Sequence, residues 1–164
     1  MKGAIGNAFI LNMVITFILI FYTLLIGSMA YSKAYRTKNY LINMIDEFAR
    51  NGKEDFASTE TIKNEWFNAT NDFMRDTGYP LSTSETNDCK RNLDEYKLYL
   101  GNGAGRYDYC IYKRIDIKDG DGNKVIKQRY NYMVLVYMKL DVPVLGQFMK
   151  FPIRGETKQY IIYR

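Results

Sequence analysis

Between Lys2 and Lys33 the chain carries no charged residue, and the run FILNMVITFILIFYTLLIG passes without proline into YSKAYRTKNYLINMIDEF. As a helix rising 1.5 Å per residue, positions 3 to 32 would span about 45 Å, more than a hydrocarbon core of about 30 Å requires. Residues 1–32 are therefore expected to form a transmembrane anchor helix in contact with membrane lipid. A cleaved secretory signal is the competing explanation, but it would have an apolar run of about 7 to 15 residues and then a small-x-small site. No such site precedes Gly27-Ser28-Met29-Ala30, and bulky Tyr31 follows it. A retained anchor explains the pattern better.

Residues 33–164 have the size of one small α+β domain with its own core. The net charge of +5 is spread along the chain without a stripe of Lys and Arg, so no nucleic-acid track is read. Lys33, Arg36 and Lys38 fall where lipid headgroups would lie. The domain has two cysteines, Cys89 and Cys110, candidates for one disulfide on the oxidising side of a membrane; two buried thiols are the alternative. A bridge closing a loop of about 22 residues would stabilise the fold by roughly 3.4 kcal/mol. Orientation signals conflict. The basic residues after the anchor favour a cytoplasmic domain, whereas the cysteine pair and abundant tyrosine favour an extracytoplasmic one, which is the expectation taken here.

The anchor helix is expected to continue to Arg50. Leu41, Met44, Ile45 and Phe48 follow the i, i+3, i+4, i+7 spacing of one buried face, and Asn51-Gly52 reads as its end. A second helix is expected from Thr59 to about Thr77, with an apolar stripe through Ile62, Trp66, Ala69, Phe73 and Met74. Ser58 or Thr59 would cap it and Gly78-Tyr79-Pro80 would end it. Residues 33–78 are thus mainly helical. Residues 81 to 88 read as a polar connection. Residues 92 to 100 could be a short helix or an edge strand, and the spacing of Leu93, Tyr96 and Leu100 leans towards helix. From 106 to 164 the pattern turns to strands. RYDYCIYKRIDIK alternates, a DGDGN turn follows, then a long strand whose centre, Met133 to Met138, is apolar on both faces, and one or two strands after Pro143. An antiparallel meander packed on the amphipathic half of the first helix is the expected fold.

Motifs for chemistry are few. Gly101, Gly103 and Gly105 form a GxGxG string, but a strand rather than a helix follows, so it reads as a loop. Asp119, Asp121 and Asn123 resemble the start of a calcium loop, yet Lys124 and Tyr130 stand where glycine and the bidentate glutamate belong. With no histidine in the chain, Ser-His and Cys-His pairs are impossible, and two thiols alone cannot complete a zinc site. Asp108, Asp116 and Asp141, in or beside strands, are read as solvated. Trp66 is read as a packing residue, and the Asn68-Ala69-Thr70 sequon as a chance match on a helix. No cofactor, metal, small-molecule substrate or enzymatic activity is expected. The fifteen tyrosines, ten of them from Tyr96 onward, suit strand faces. Within the anchor, Gly3, Gly6 and Gly27 permit close approach of another helix and Asn12 could bridge to it. Thr16, Thr23 and Ser28 could do the same or simply bond their own backbone.

Three stretches carry a family resemblance: GAIGNAFILNMVITFILIFYTLLIG, YSKAYRTKNYLINMIDEF and VPVLGQFMKFPIRGET, together about 40% of the chain. In their arrangement the chain resembles type IV pilins and pseudopilins, most of all the TadE-like minor pseudopilins of tight-adherence pilus systems. The resemblance implies a pilin-like fold and a non-enzymatic, single-pass membrane subunit. Its expected partners are other pilin-like subunits or the platform proteins of a pilus or secretion system. Pilin processing signals place a glutamate five residues after the processed glycine; counted from Gly3 and Gly6, those positions are Ala8 and Leu11. A signal-anchored extracytoplasmic sensing or binding domain is the alternative expectation.

Overall fold

The computed structural model describes residues 2–51, 59–81, 89–101, 107–118, 127–141 and 148–163. The uncharged run and its polar continuation form one helix, α1 (Lys2–Arg50), of 49 residues. The second helix, α2 (Glu60–Asp76), begins one residue later than expected. Thr59 holds the N-cap position with extended backbone, but its side chain makes no capping hydrogen bond. At the other end Gly78 adopts φ 62°, and the Tyr79 N–H reaches back to the Met74 carbonyl at 2.8 Å. That is a left-handed glycine cap, which a side chain would strain.

Six strands follow: β1 (Asn92–Leu93), β2 (Tyr96–Gly101), β3 (Tyr109–Lys118), β4 (Lys127–Asp141), β5 (Phe148–Glu156) and β6 (Tyr160–Tyr163). They make one curled antiparallel sheet, a half-barrel around α1. The helical preference for residues 92 to 100 is overturned. These residues form the β1–β2 hairpin, with Asp94 at φ 54° in its turn. The i, i+3 spacing of Leu93 and Tyr96 comes from a tight turn, and a bulge between Leu98 and Leu100 moves Leu100 to the helix-facing side. The meander also needs correction at its end, because β6 pairs with β4 and not with β5. Glu156 lies opposite Met133 and Tyr160 opposite Tyr130, so three residues on one side face two on the other. β5 and β6 are thus one edge interrupted by a bulge. Thr157 fills the gap: its N–H bonds the Tyr132 carbonyl at 2.9 Å, and its hydroxyl accepts the Tyr132 N–H at 3.0 Å.

Alternation along β3 and β4 divides the core in two. Tyr109, Ile111, Tyr130, Tyr132, Val134 and Val136 face the helices, against Ala34, Leu41, Met44, Ile45 and Phe48 of α1 and Trp66 and Met74 of α2. Cys110, Tyr112, Met133 and Leu135 face the other way and pack under Tyr96, Leu93 and Leu98. The two-sided apolar centre of β4 therefore serves both cores, as period-2 side-chain geometry requires. The Asn51-Gly52 signal lies partly, and the GxGxG string, the DGDGN turn and Pro143 largely or wholly, outside the described residues.

Candidate membrane-interface site

α1 changes surroundings along its length. Every side chain from Ala8 to Leu25 is exposed, and Ala34 is the first to be buried. The exposed part includes Phe9, Met13, Phe17, Ile20 and Leu24, each more than half exposed. Large apolar side chains in one contiguous array are costly in water. This helix is long and apolar enough to cross a membrane. Thr16 and Thr23 donate to the Asn12 and Leu19 carbonyls, both at 2.8 Å, so they satisfy themselves within α1. Asn12 is exposed, and its amide makes no hydrogen bond to any described residue. Gly3 and Gly6 lie on α1, in the stretch whose side-chain surroundings are outside the described set. Gly27 lies against the chain's own sheet: a Cβ there would meet a Leu140 methyl at 3.9 Å. At the end of the uncharged run Tyr31 and Tyr35 stack with ring centroids 6.0 Å apart, and the Lys38 ammonium sits 4.1 Å from the Tyr35 ring centre. Tyrosine and lysine in that position match the composition of a membrane–water boundary.

Beside this boundary, β4 runs on past the start of β3. Val136 pairs with Tyr109, and from Tyr137 onward no described strand pairs with that edge of β4. Backbone groups left there need partners, and the turn after α2 supplies one. The Tyr79 hydroxyl donates to the Tyr137 carbonyl (2.6 Å), accepts the Tyr137 N–H (3.1 Å) and lies 3.1 Å from the Asp108 carbonyl. Burial pushes the Tyr79 phenol far above its usual range; the bond to the Tyr137 backbone lowers it in part, and the nearby Asp108 carboxylate raises it again. Next to it Asp108 and Lys139, both side chains 3% exposed, form an ion pair at 2.8 Å. Lys150 approaches the same carboxylate oxygen at 3.5 Å, and Lys139 also donates to the Leu81 carbonyl at 2.6 Å. The expectation that Asp108 is solvated is therefore overturned, because strand alternation gives no sign of a partner 31 residues away on the neighbouring strand. On the outer side Lys33 donates to the Gly78 carbonyl at 3.2 Å. Between these groups lies a cleft of about 260 Å³, lined by Ile26, Met29 and Ala30 of α1 and by Tyr79, Tyr137 and Lys139.

Cys89 and Cys110 are joined by a disulfide, with their Cα atoms 5.7 Å apart. The bridge ties the segment before β1 to β3 on the sheet face away from the helices. At the opposite end of the domain Tyr160 of β6 donates to Asp46 of α1. Its phenol is raised by burial and then by that carboxylate. Tyr109, buried beside the indole N–H of Trp66 at 3.3 Å, is likewise raised by burial, with the bonds to Thr70 and Trp66 acting against it. The structure thus unites the two cysteines, leaves Asn12 on the exposed half of α1 and sets Gly27 against Leu140. The cluster of Tyr79, Asp108, Lys139 and Lys150 was missed. Its only sequence trace is the Gly-Tyr-Pro stop after α2.

Fold and site together define a small α+β domain built on the second half of a helix whose first half is a candidate membrane span. Comparison with models of known protein families, with curated proteins and with solved structures returns no match.

Proposed function

We propose that the chain is a non-enzymatic, membrane-anchored pilin-like subunit, similar to the TadE-like minor pseudopilins, serving a tight-adherence or type IV pilus-like surface assembly. The observation that carries the proposal is the unbroken α1, exposed and apolar from Ala8 to Leu25 and buried as the spine of a curled sheet from Ala34 to Phe48. A helix built this way holds its domain at a bilayer and can exchange lipid for neighbouring helices without refolding. Asn12 supplies a polar contact for such a neighbour, since an unpartnered amide in hydrocarbon gains by bridging helices. The domain lies on the extracytoplasmic side, where the Cys89–Cys110 bridge is stable.

The test is to shear cells and probe the released filaments for the chain, together with disulfide crosslinking of an Asn12→Cys variant in intact membranes. Recovery in filaments and anchor-to-anchor crosslinks support the proposal. A chain that stays wholly in the membrane fraction as an uncrosslinked monomer instead favours a signal-anchored sensing or binding domain. That second reading has its own motivating observation: Ala8 and Leu11 occupy the positions where a processed pilin carries glutamate.

A further inference from the structure

Two contacts fix the height of the sheet along α1. Leu140 lies against the helix at Gly27, and Gly155, which pairs with Val134, lies against Lys38 and Ile42. From Leu140 to Val134 β4 rises about 20 Å, and from Gly27 to Lys38 or Ile42 α1 rises about 17 to 23 Å. The strand therefore runs close to the helix axis, with Leu140 at the anchor end. Ala8 to Gly27, uncharged throughout, cover about 30 Å, the thickness of a hydrocarbon core. Leu24 and Leu25, both more than half exposed, are costly to leave in water and carry the span at least that far. If α1 spans the bilayer, the sheet thus begins where the hydrocarbon ends, with no spacer between them.

The exposed large apolar side chains outside α1, among the described residues, are Leu81, Ile115, Phe151 and Ile161. Leu81 and Phe151 stand at the anchor end. Phe151 pairs with Met138, two residues or about 7 Å from Leu140, which puts it level with Tyr31 of α1. Leu81 follows Pro80, which lines the cleft with Met29, and its carbonyl accepts Lys139 at 2.6 Å. Met29 and Tyr31 are themselves more than half exposed, so apolar side chains from helix, turn and sheet meet at one level. Lys33 and Lys150 near that level, with Asp141 at the end of β4, keep this end at the boundary and out of the hydrocarbon.

We propose that the anchor end of the sheet is a second bilayer contact, with Phe151 and Leu81 seated among the lipid headgroups beside Met29 and Tyr31. The proposal rests on α1 spanning the membrane, the first element of the function proposed above. A helix alone leaves its domain free to tilt; a second contact at the sheet holds the domain upright on the membrane. Ile161 supplies the internal comparison. It is 44% exposed, as is Phe151, but it pairs with Arg129, nine residues or about 30 Å along β4 from Met138.

The experiment places one tryptophan at either height, Phe151→Trp or Ile161→Trp, each with Trp66→Phe. The full chain is reconstituted in phosphatidylcholine vesicles with and without bromine on the upper acyl chains. Bromine should quench the tryptophan at 151 at least threefold more strongly than that at 161. With Leu81→Trp as the sensor, quenching should also be strong, and Phe151→Asp should weaken it. Matching circular-dichroism melts in detergent show that the variants are folded. If Trp66→Phe does not fold, the comparison is made with Trp66 kept and its quenching in the wild-type chain subtracted. Equally weak quenching at 151 and 161 overturns the proposal, because the sheet then stands clear of lipid. Equally strong quenching also overturns it, because the domain then lies flat. A tryptophan at 151 shielded from bromine and from aqueous acrylamide alike means that a second copy covers the patch, which overturns it too. Alkaline carbonate extraction of cell membranes separates the two failures: a chain released by carbonate refutes the membrane span itself, whereas an integral chain without the difference in quenching refutes only the sheet contact.

Discussion

From Ala8 to Leu25 every side chain of α1 is exposed, whereas Ala34, Thr37, Leu41, Met44, Ile45 and Phe48 are buried beneath the sheet and α2. Both halves are helical and free of proline, and both carry large apolar residues. They differ in periodicity. In the first half apolar residues surround the helix, so no single protein face could bury them; in the second they form one stripe with charges opposite. A continuous apolar surface needs lipid or several neighbouring helices, and a stripe needs one partner surface. The same secondary structure can thus serve two solvents, and the pattern of side chains assigns each half to its own.

The sharpest way to break this comparison is to make the same truncation in each half. Leu41→Ala should destabilise the domain by about 2–5 kcal/mol, because a fully buried side chain leaves a cavity. Leu19→Ala, on the exposed half, should shift stability by less than about 0.5 kcal/mol. Thermal melts of the full chain in detergent, followed by Trp66 fluorescence, measure both. Similar losses at the two sites would mean that α1 is not divided as described.

Replacing both cysteines, Cys89→Ser with Cys110→Ser, should cost roughly 3 kcal/mol by the loop-entropy estimate. The change should lower the melting point while leaving the chain resistant to carbonate extraction, since the bridge lies in the domain and the candidate membrane span in the first half of α1. Loss of membrane residence in this variant would show that the two halves depend on each other.

Tyr79→Phe should cost about 1–3 kcal/mol by stranding the Tyr137 backbone groups. The pH dependence has a definite sign. Tyr79, Tyr109 and Tyr160 are all raised in the folded state, so below pH about 10 each phenol is protonated whether folded or unfolded and its contribution is complete. Above that, the unfolded chain loses these protons first. Stability should then fall by up to about 1.4 kcal/mol per pH unit for each phenol still protonated in the fold. Urea melts between pH 8 and 11 check the slope, and Tyr79→Phe should make it shallower. A profile that stays flat would contradict the burial of these hydroxyls.

The smallest effect is expected at Asn12. Asn12→Leu should leave domain melting unchanged and reduce crosslinking between neighbouring anchors, whereas Thr16→Val, whose hydroxyl bonds its own helix, should change neither. Equal crosslinking by wild type and Asn12→Leu would remove Asn12 from any helix contact.

What local periodicity reports was legible in the amino-acid order. The uncharged run and the Leu41, Met44, Ile45, Phe48 stripe foretold one helix with two environments. The glycine after Thr77 foretold the end of α2, and the two-sided apolar centre of β4 foretold a strand buried on both faces. The cysteine spacing left bridge and thiols both open, and the fold chose the bridge by bringing Cys89 to β3. Other features depended on where distant segments meet. Residues 92 to 101 form a hairpin because a turn at Asp94 and pairing with β3 outweigh a helical spacing only nine residues long. β6 joins β4 because Thr157 bridges an extra residue at the edge. Asp108 is buried with Lys139 because β4 outruns β3, leaving an edge that the α2 turn closes with Tyr79. Solvent preference acts on each residue and its near neighbours, so the sequence alone could place α1 in its two environments. Charge pairing and edge closure act between residues far apart in the chain, so only the tertiary structure could place the buried Asp108–Lys139 pair and its Tyr79 neighbour together.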